Sequence, residues 1–335
     1  LVEQWAAPVR RVPEPQEDTV TTNGNIDGVL VLWGDRLFYP GNRIVRGSST
    51  PKLSAEATRQ RAKEIRARIE ATVVRRAPQV MVKVTGGGRG MRAIAAHFRY
   101  ISKNGRLDIE DDRGEHICGA RAVRDLADDW RFSGGLIPED AEQGGRREAY
   151  NIMLSMPRGT DPLAVQRAAR EFARVELAGH KYVMVLHDHQ ANPHVHLSVR
   201  AEGRDGRRLN PRKADLHRWR ETFAEKLREL GIDAEASRQA TRGAVRNYDA
   251  IWQTKARESG RLRRDVARTK SSAGSLASRA SAIEAWGELR AALERSPEAA
   301  DVRLATGIAE MLGRATVAKT QERHDVSPTL AVRDR

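Results

Sequence analysis

The chain has 335 residues, of which 39% are hydrophobic and 31% charged, and its net charge is +14. That length predicts about two domains, and the basic excess points to a polyanionic partner, nucleic acid ahead of an anionic membrane surface. The single cysteine, Cys118, excludes an intrachain disulfide and a cysteine-based zinc site, and no apolar run approaches the ~20 residues of a membrane span, so the expectation is a cytoplasmic protein without membrane insertion.

Residues 1–25 are rich in Pro, Glu and Thr, with little periodicity, and read as a loose tail. Residues 29–33 and 37–39 are apolar and flank Gly34-Asp35-Arg36, which predicts a small hairpin. Residues 54–76 predict a charged helix, with Ile65, Ile69 and Val73 on one face and Pro78 as its stop. A strand over 80–84 then runs into Gly86-Gly87-Gly88-Arg89-Gly90 and a helix over 91–102. The polar stretch 104–120 suits a hairpin or loop, and 122–131 a short helix. Residues 150–156 read as a strand closed by Pro157. Asp161-Pro162 starts the next helix, as N-cap and N1, and Gly179 stops it. Two strands follow, over 182–186 and 195–199, with a turn at Asn192-Pro193. This order predicts an α+β fold, a central antiparallel sheet flanked by helices, followed by a basic, mainly helical region.

Beyond Arg200 the chain turns basic. Residues 204–220 carry seven Arg or Lys against two Asp. Asp215 is the expected cap of a helix whose apolar stripe is Leu216, Trp219, Phe223, Leu227 and Leu230. Past residue 250 the expectation is basic helix, with Arg257, Arg261, Arg263, Arg264, Arg268 and Lys270. Ser281 and Glu284 there form a capping box ahead of Ile283, Trp286, Leu289 and Leu293. The predicted units are an N-terminal extension (1–78), a catalytic domain (79–203), a basic helical extension (204–250) and a helical C-terminal region (251–335).

Four of the nine histidines fall in His187-Asp188-His189-Gln190-Ala191-Asn192-Pro193-His194-Val195-His196. On a strand, residues two apart share a face, so His194 and His196 project together, and the preceding strand delivers His187 to them. Three neutral imidazoles on two strands suit a divalent metal. His189 is a further candidate by its spacing. A single three-histidine site in a basic chain suits Lewis-acid chemistry on a phosphodiester, with water or a side chain as nucleophile. Of five tyrosines, Tyr100 stands apart, late in a helix between the cations Arg99 and Lys103. Positive neighbours bind phosphate and favour a phenolate.

Three stretches in order carry a resemblance: Phe98-Arg99-Tyr100-Ile101-Ser102-Lys103-Asn104-Gly105, then Ile152-Met153-Leu154-Ser155-Met156-Pro157, then the histidine run. Over about residues 79–250 the chain resembles DNA relaxases, the His-hydrophobe-His endonucleases of the MOBP mobilisation type. The resemblance implies that Tyr100 is the transesterifying tyrosine, that Ser155 contacts DNA near the nick, and that His187, His194 and His196 hold Mg2+ or Mn2+. It implies nicking and religation of single-stranded DNA at an origin of transfer through a 5′-phosphotyrosine, with accessory DNA-binding proteins and a type IV secretion coupling protein as partners. The related proteins often carry Asp two residues after the first ligand, where this chain has His189. Arg89, Arg200, Arg207, Arg208, Arg212 and Lys213, with Arg99 and Lys103, are candidate DNA contacts. Two rival functions share these residues: a non-catalytic DNA-binding protein of the same fold, and a metallophosphodiesterase that uses water.

Overall fold

The computed structural model describes residues 26–39, 53–140, 145–243, 259–261 and 272–324, with side chains as far as 314. Six strands form one sheet in the order β1-β4-β6-β5-β2-β3. They are β1 (Met81–Gly86), β2 (Ile109–Asp111), β3 (His116–Ile117), β4 (Ala149–Ser155), β5 (Tyr182–His187) and β6 (His194–Arg200). Every pairing is antiparallel. The expected α+β fold is therefore present.

Alternation along the central strands sends side chains to two buried faces. Ile152, Leu154, Met184, Val195, Leu197 and Val199 face a core shared with α5 (Pro162–Glu176) and α6 (Lys213–Glu229). Ala149, Val183 and Val185 face the other way, onto α3 (Met91–Ile101) and α4 (Ala120–Phe132). A strand covered on both sides must be apolar at both parities, which is why β5 and β6 read as nearly continuous hydrophobic runs. The start of α5 follows its sequence signal: the Asp161 carboxylate accepts from the N–H groups of Leu163 and Ala164, and Pro162 takes the first turn.

A second core joins the two ends of the described chain. It packs α1 (Ile26–Phe38) and α2 (Ala55–Ile69), extended by a π-helical turn over Glu70–Val74, against α7 (Ala273–Glu294) and α8 (Ala299–His324). At its centre the Phe38 and Trp286 rings meet edge-on at 5.8 Å. The bundle is fastened to the sheet unit by Arg68 of α2, whose guanidinium pairs with buried Glu235 and with Glu221 of α6 at 2.8 Å.

Three local expectations are corrected. Residues 29–38 form helix, not a hairpin. Gly34 is the point where α2 crosses, since a Cβ there would lie 2.5 Å from Ile65. Ser281 lies inside α7, whose cap is Ser272, accepting from the Ser275 N–H. Asp215 occupies the third position of α6, where its carboxylate accepts from the Arg212 N–H at 2.8 Å, and Leu230 falls past the helix end, exposed. The tail over 1–25 and most of the basic run 257–270 lie outside the described residues.

Candidate metal centre and nucleophile

Antiparallel register assembles the histidines. His187 ends β5 directly opposite His194, which begins β6, and His196 lies opposite Val185 on the same face. On the other side of β6, Ser155 is opposite His194 and Met153 opposite His196. All three imidazoles are buried, and one nitrogen from each lies within 4.8 Å of the others.

The hydrogen bonds select the free nitrogens. His187 Nε2 meets the Ile101 carbonyl at 2.7 Å, and His194 Nδ1 meets the Asn192 carbonyl at 2.9 Å. A carbonyl can only accept, so those nitrogens carry the protons and His187 Nδ1 and His194 Nε2 keep lone pairs. His187 Nδ1 and His196 Nδ1 are buried with no hydrogen-bond partner. Burial disfavours the charged form throughout. It lowers the pKa of His187, whose neighbours His194, His189 and Lys103 add to the effect, lowers that of His194, and pushes His196 down to about 3. Three neutral imidazoles, two of them with a buried nitrogen that has no partner, fit a divalent cation, which needs deprotonated donors.

Tyr100 sits at the last turn of α3 and is 61% exposed, the condition for a side chain that must meet an outside substrate. Its ring lies 6.5 Å from the ring of His196. The Ile101 carbonyl that holds His187 is the next residue, so the end of α3 and the histidine cluster are fixed to each other. Beyond it the chain turns through Lys103, Asn104 and Gly105 at φ 49°, 60° and 82°, a left-handed run that reverses the backbone within three residues.

His97 is a site residue that the motif reading passed over. It lies one turn before Tyr100, with ring centroids 6.2 Å from Tyr100 and 6.4 Å from His196. Its Nε2 is buried without a partner, and burial pulls its pKa down to about 4. The available signal was its spacing, since i and i+3 share a helix face.

The other candidates separate into groups. Ser155 is buried, and its hydroxyl donates to the Pro193 carbonyl at 3.3 Å, bracing the turn that delivers His194. Arg99 and Lys103 are exposed beside Tyr100. Arg89 lies at the opposite end of α3, and the glycines before it serve packing: a Cβ on Gly87 would lie 2.3 Å from the Ala149 carbonyl oxygen. Arg200 is buried at the far end of β6, donating to the carbonyls of Trp130 and Gly135. Arg208 pairs with Glu148 and Glu202, Arg207 is exposed, and Arg212 and Lys213 are exposed at the start of α6. His189 is exposed, its ring 5.1 Å from that of His187, and Asp188 is exposed.

Residues 100–232 match the family described as relaxase, MobA/VirD2-like, nuclease domain. This stretch is similar to relaxase nuclease domains. It contains Tyr100, Ser155 and all three buried histidines, together with every strand except β1. Among curated proteins, the chain is 26% identical over 184 residues to the T-DNA border endonuclease VirD2 of Rhizobium radiobacter, covering 49% of this chain and 43% of that one. The protein of the same name from Agrobacterium fabrum is 27% identical over 184 residues, covering 49% and 41%. The chain thus spans less than half the length of these relatives.

Proposed function

We infer that this chain nicks and rejoins one DNA strand at an origin of transfer, through a 5′-phosphotyrosine intermediate, and so begins mobilisation of a plasmid or integrative element. One observation carries the reading: an exposed tyrosine stands beside three buried, neutral imidazoles. The relatives' own name, border endonuclease, supports DNA cleavage as the chemistry.

In this reading the strand crosses the open part of the sheet face, where Met81 and Lys83 of β1 are exposed opposite Ser155 and Met153. Arg99 and Lys103 hold phosphates on either side of the nucleophile. The Tyr100 oxygen attacks the scissile phosphorus and loses its proton. The bond from phosphorus to the 3′ oxygen breaks as the bond to tyrosine forms, and the released 3′ oxygen takes up a proton. No water is consumed, so attack by the retained 3′-hydroxyl restores the strand. His187, His194 and His196 would hold Mg2+ or Mn2+, which when bound supplies charge stabilisation at the phosphate oxygens. Neutral His97 stands beside both Tyr100 and His196, completing a triangle of rings with sides of 6.2, 6.4 and 6.5 Å.

We assign residues 79–203 as the catalytic unit and 204–250 as its basic DNA-contacting extension, with the 1–78 and 251–335 segments meeting in the helical bundle. Accessory DNA-binding proteins and a type IV secretion coupling protein are the expected partners, in the bacterial cytoplasm.

The test is incubation of the full chain with origin-containing single-stranded DNA and Mn2+, followed by a denaturing gel. A protein–DNA adduct is expected for the wild type and none for Tyr100→Phe. His194→Ala should lower nicking by about 100-fold or more, the loss of a stabilisation worth several kcal/mol, with DNA affinity little changed. An adduct with Tyr100→Phe removes the nucleophile assignment. Cleavage without any covalent species replaces this reading with a water-using phosphodiesterase.

A further inference from the structure

The candidate DNA contacts fall at two ends of the same strands. β5 runs from Tyr182 to His187 and β6 returns from His194 to Arg200. At ~3.3 Å per residue, the far end of this strand pair lies about 17–20 Å from His187 and His194 and about 13 Å from His196. There the structure holds a cavity of about 230 Å³, lined by Asp112, Arg113, Lys181, Arg200, Glu202 and Arg204. Four of these six are cations.

Pairing leaves that charge uneven. Arg204 pairs with Asp112 at 2.7 Å, Glu202 with Arg208 at 3.2 Å, and Lys181 with Asp129. Arg200 is 3% exposed, yet among the described residues no carboxylate lies at ion-pair distance from it, and its guanidinium is held by two carbonyl oxygens. Arg113 is exposed at the wall of the cavity. One acceptor is also unsatisfied. The Asp112 side chain is 6% exposed, and its Oδ1 is buried with no hydrogen-bond partner. A carboxylate oxygen in that state calls for a donor. Finally, the turn that lines the cavity at Ser133 and Gly134 carries two outward apolar side chains, Phe132 at 69% and Leu136 at 67% exposure.

A buried guanidinium with no ion pair, a carboxylate with one oxygen lacking a donor and an exposed aromatic ring together suit a nucleotide: phosphate, a base edge with N–H donors, and a stacking face. We propose that this cavity is a second DNA site, which takes one unstacked nucleotide of the bound strand remote from the nick. Arg113 and Arg200 face its phosphate, Asp112 accepts from the base edge, and Phe132 stacks on the neighbouring base. The proposal rests on the DNA-nicking reading for the identity of the strand. It adds a contact that would select origins by sequence at a position the nucleophile never touches.

The experiment measures binding of fluorescein-labelled single strands to the full chain, comparing wild type, Asp112→Asn and Phe132→Ala. Phe132 is exposed, and Asp112→Asn nearly preserves shape, so both variants should fold. A strand of about 30 nucleotides, long enough to reach both ends, should bind each variant about tenfold more weakly, the loss of one stacked or hydrogen-bonded base. A strand of about 8 nucleotides should bind all three proteins alike. Unchanged affinity of both variants for the long strand overturns the proposal, and so does an equal loss on both strands. Competition among free deoxynucleoside monophosphates in calorimetry, with no effect of either variant on the long strand, reassigns the cavity to a free nucleotide and also overturns it. Adduct formation by the wild type is scored in parallel. Its absence counts against the nicking function, while the affinities still judge the cavity.

Discussion

His187 and His194 each commit one ring nitrogen to a backbone carbonyl, and that commitment sets the direction of the other. The Ile101 and Asn192 carbonyls thus do for the cluster what second-layer carboxylates do in many metal sites: they fix tautomer and ring angle before any ion arrives. Because burial already keeps the rings neutral, binding near neutral pH displaces few protons. Imidazole nitrogen suits Mn2+ better than oxygen-seeking Mg2+. An ion that binds only the folded chain at a hundredfold excess over Kd adds about 2.7 kcal/mol. Mn2+ should therefore raise the melting temperature of the wild type by several degrees and Mg2+ by less, while His187→Ala and His194→Ala lose the Mn2+ shift. Melting curves with and without each ion decide this. An undiminished Mn2+ shift in both variants would show that the ion binds elsewhere.

At the scale of elements, the crossing of α1 and α2 turns on one missing methyl. A Cβ at Gly34 would come within 2.5 Å of Ile65 Cγ2 and 2.7 Å of its Cδ1, and Ile65 is fully buried. Alanine gains up to about 1 kcal/mol of helix propensity over glycine. Overpacking of this kind costs about 1–3 kcal/mol, so the clash wins. Gly34→Ala should lower stability by about 1–2 kcal/mol in urea unfolding, and that added loss should vanish in an Ile65→Ala background, which a double-mutant cycle would show. The same glycine explains why α1 was illegible in the sequence. Gly34-Asp35 between apolar runs carries the local mark of a turn, whereas the glycine is there for a neighbour about 30 residues away. The start of α7 was hidden for a related reason: residues 273–281 are small and polar, with almost no apolar periodicity to mark them as helical. Strands β4, β5 and β6 were legible, because burial on both faces and Pro or Asn-Pro boundaries are local properties, and β1 was legible from its alternating valines after Pro78. The three histidines were legible because a period of two and one short turn suffice to join them. His97 and the far cavity were not, since both depend on how α3 and α4 pack on the sheet.

For the molecule as a whole, the main question is how a bundle built from both ends of the chain stays in register with the sheet unit. Arg68 is a buried polar link: it leaves α2, passes 4.9 Å from the rings of Phe38 and Tyr39, and reaches Glu235 and Glu221. The side chains of Arg68 and Glu235 are 11% and 4% exposed, so the pair sits where removal of one partner strands the other. Breaking a buried pair costs about 3–5 kcal/mol, whereas replacing both charges by apolar groups of similar volume is often neutral. Glu221 stays within 2.8 Å of Arg68 and is itself 28% exposed, which places the loss for Glu235→Leu at the low end of that range. Guanidinium unfolding of Glu235→Leu should therefore show a loss of about 3 kcal/mol, and Arg68→Met with Glu235→Leu should recover most of it. If the pair sets the docking geometry, the double variant will be stable but will lose the single cooperative transition, because the apolar substitutes fit more than one arrangement. A double variant that unfolds in one transition and nicks DNA at the wild-type rate would assign registry to the apolar contacts of the interface instead.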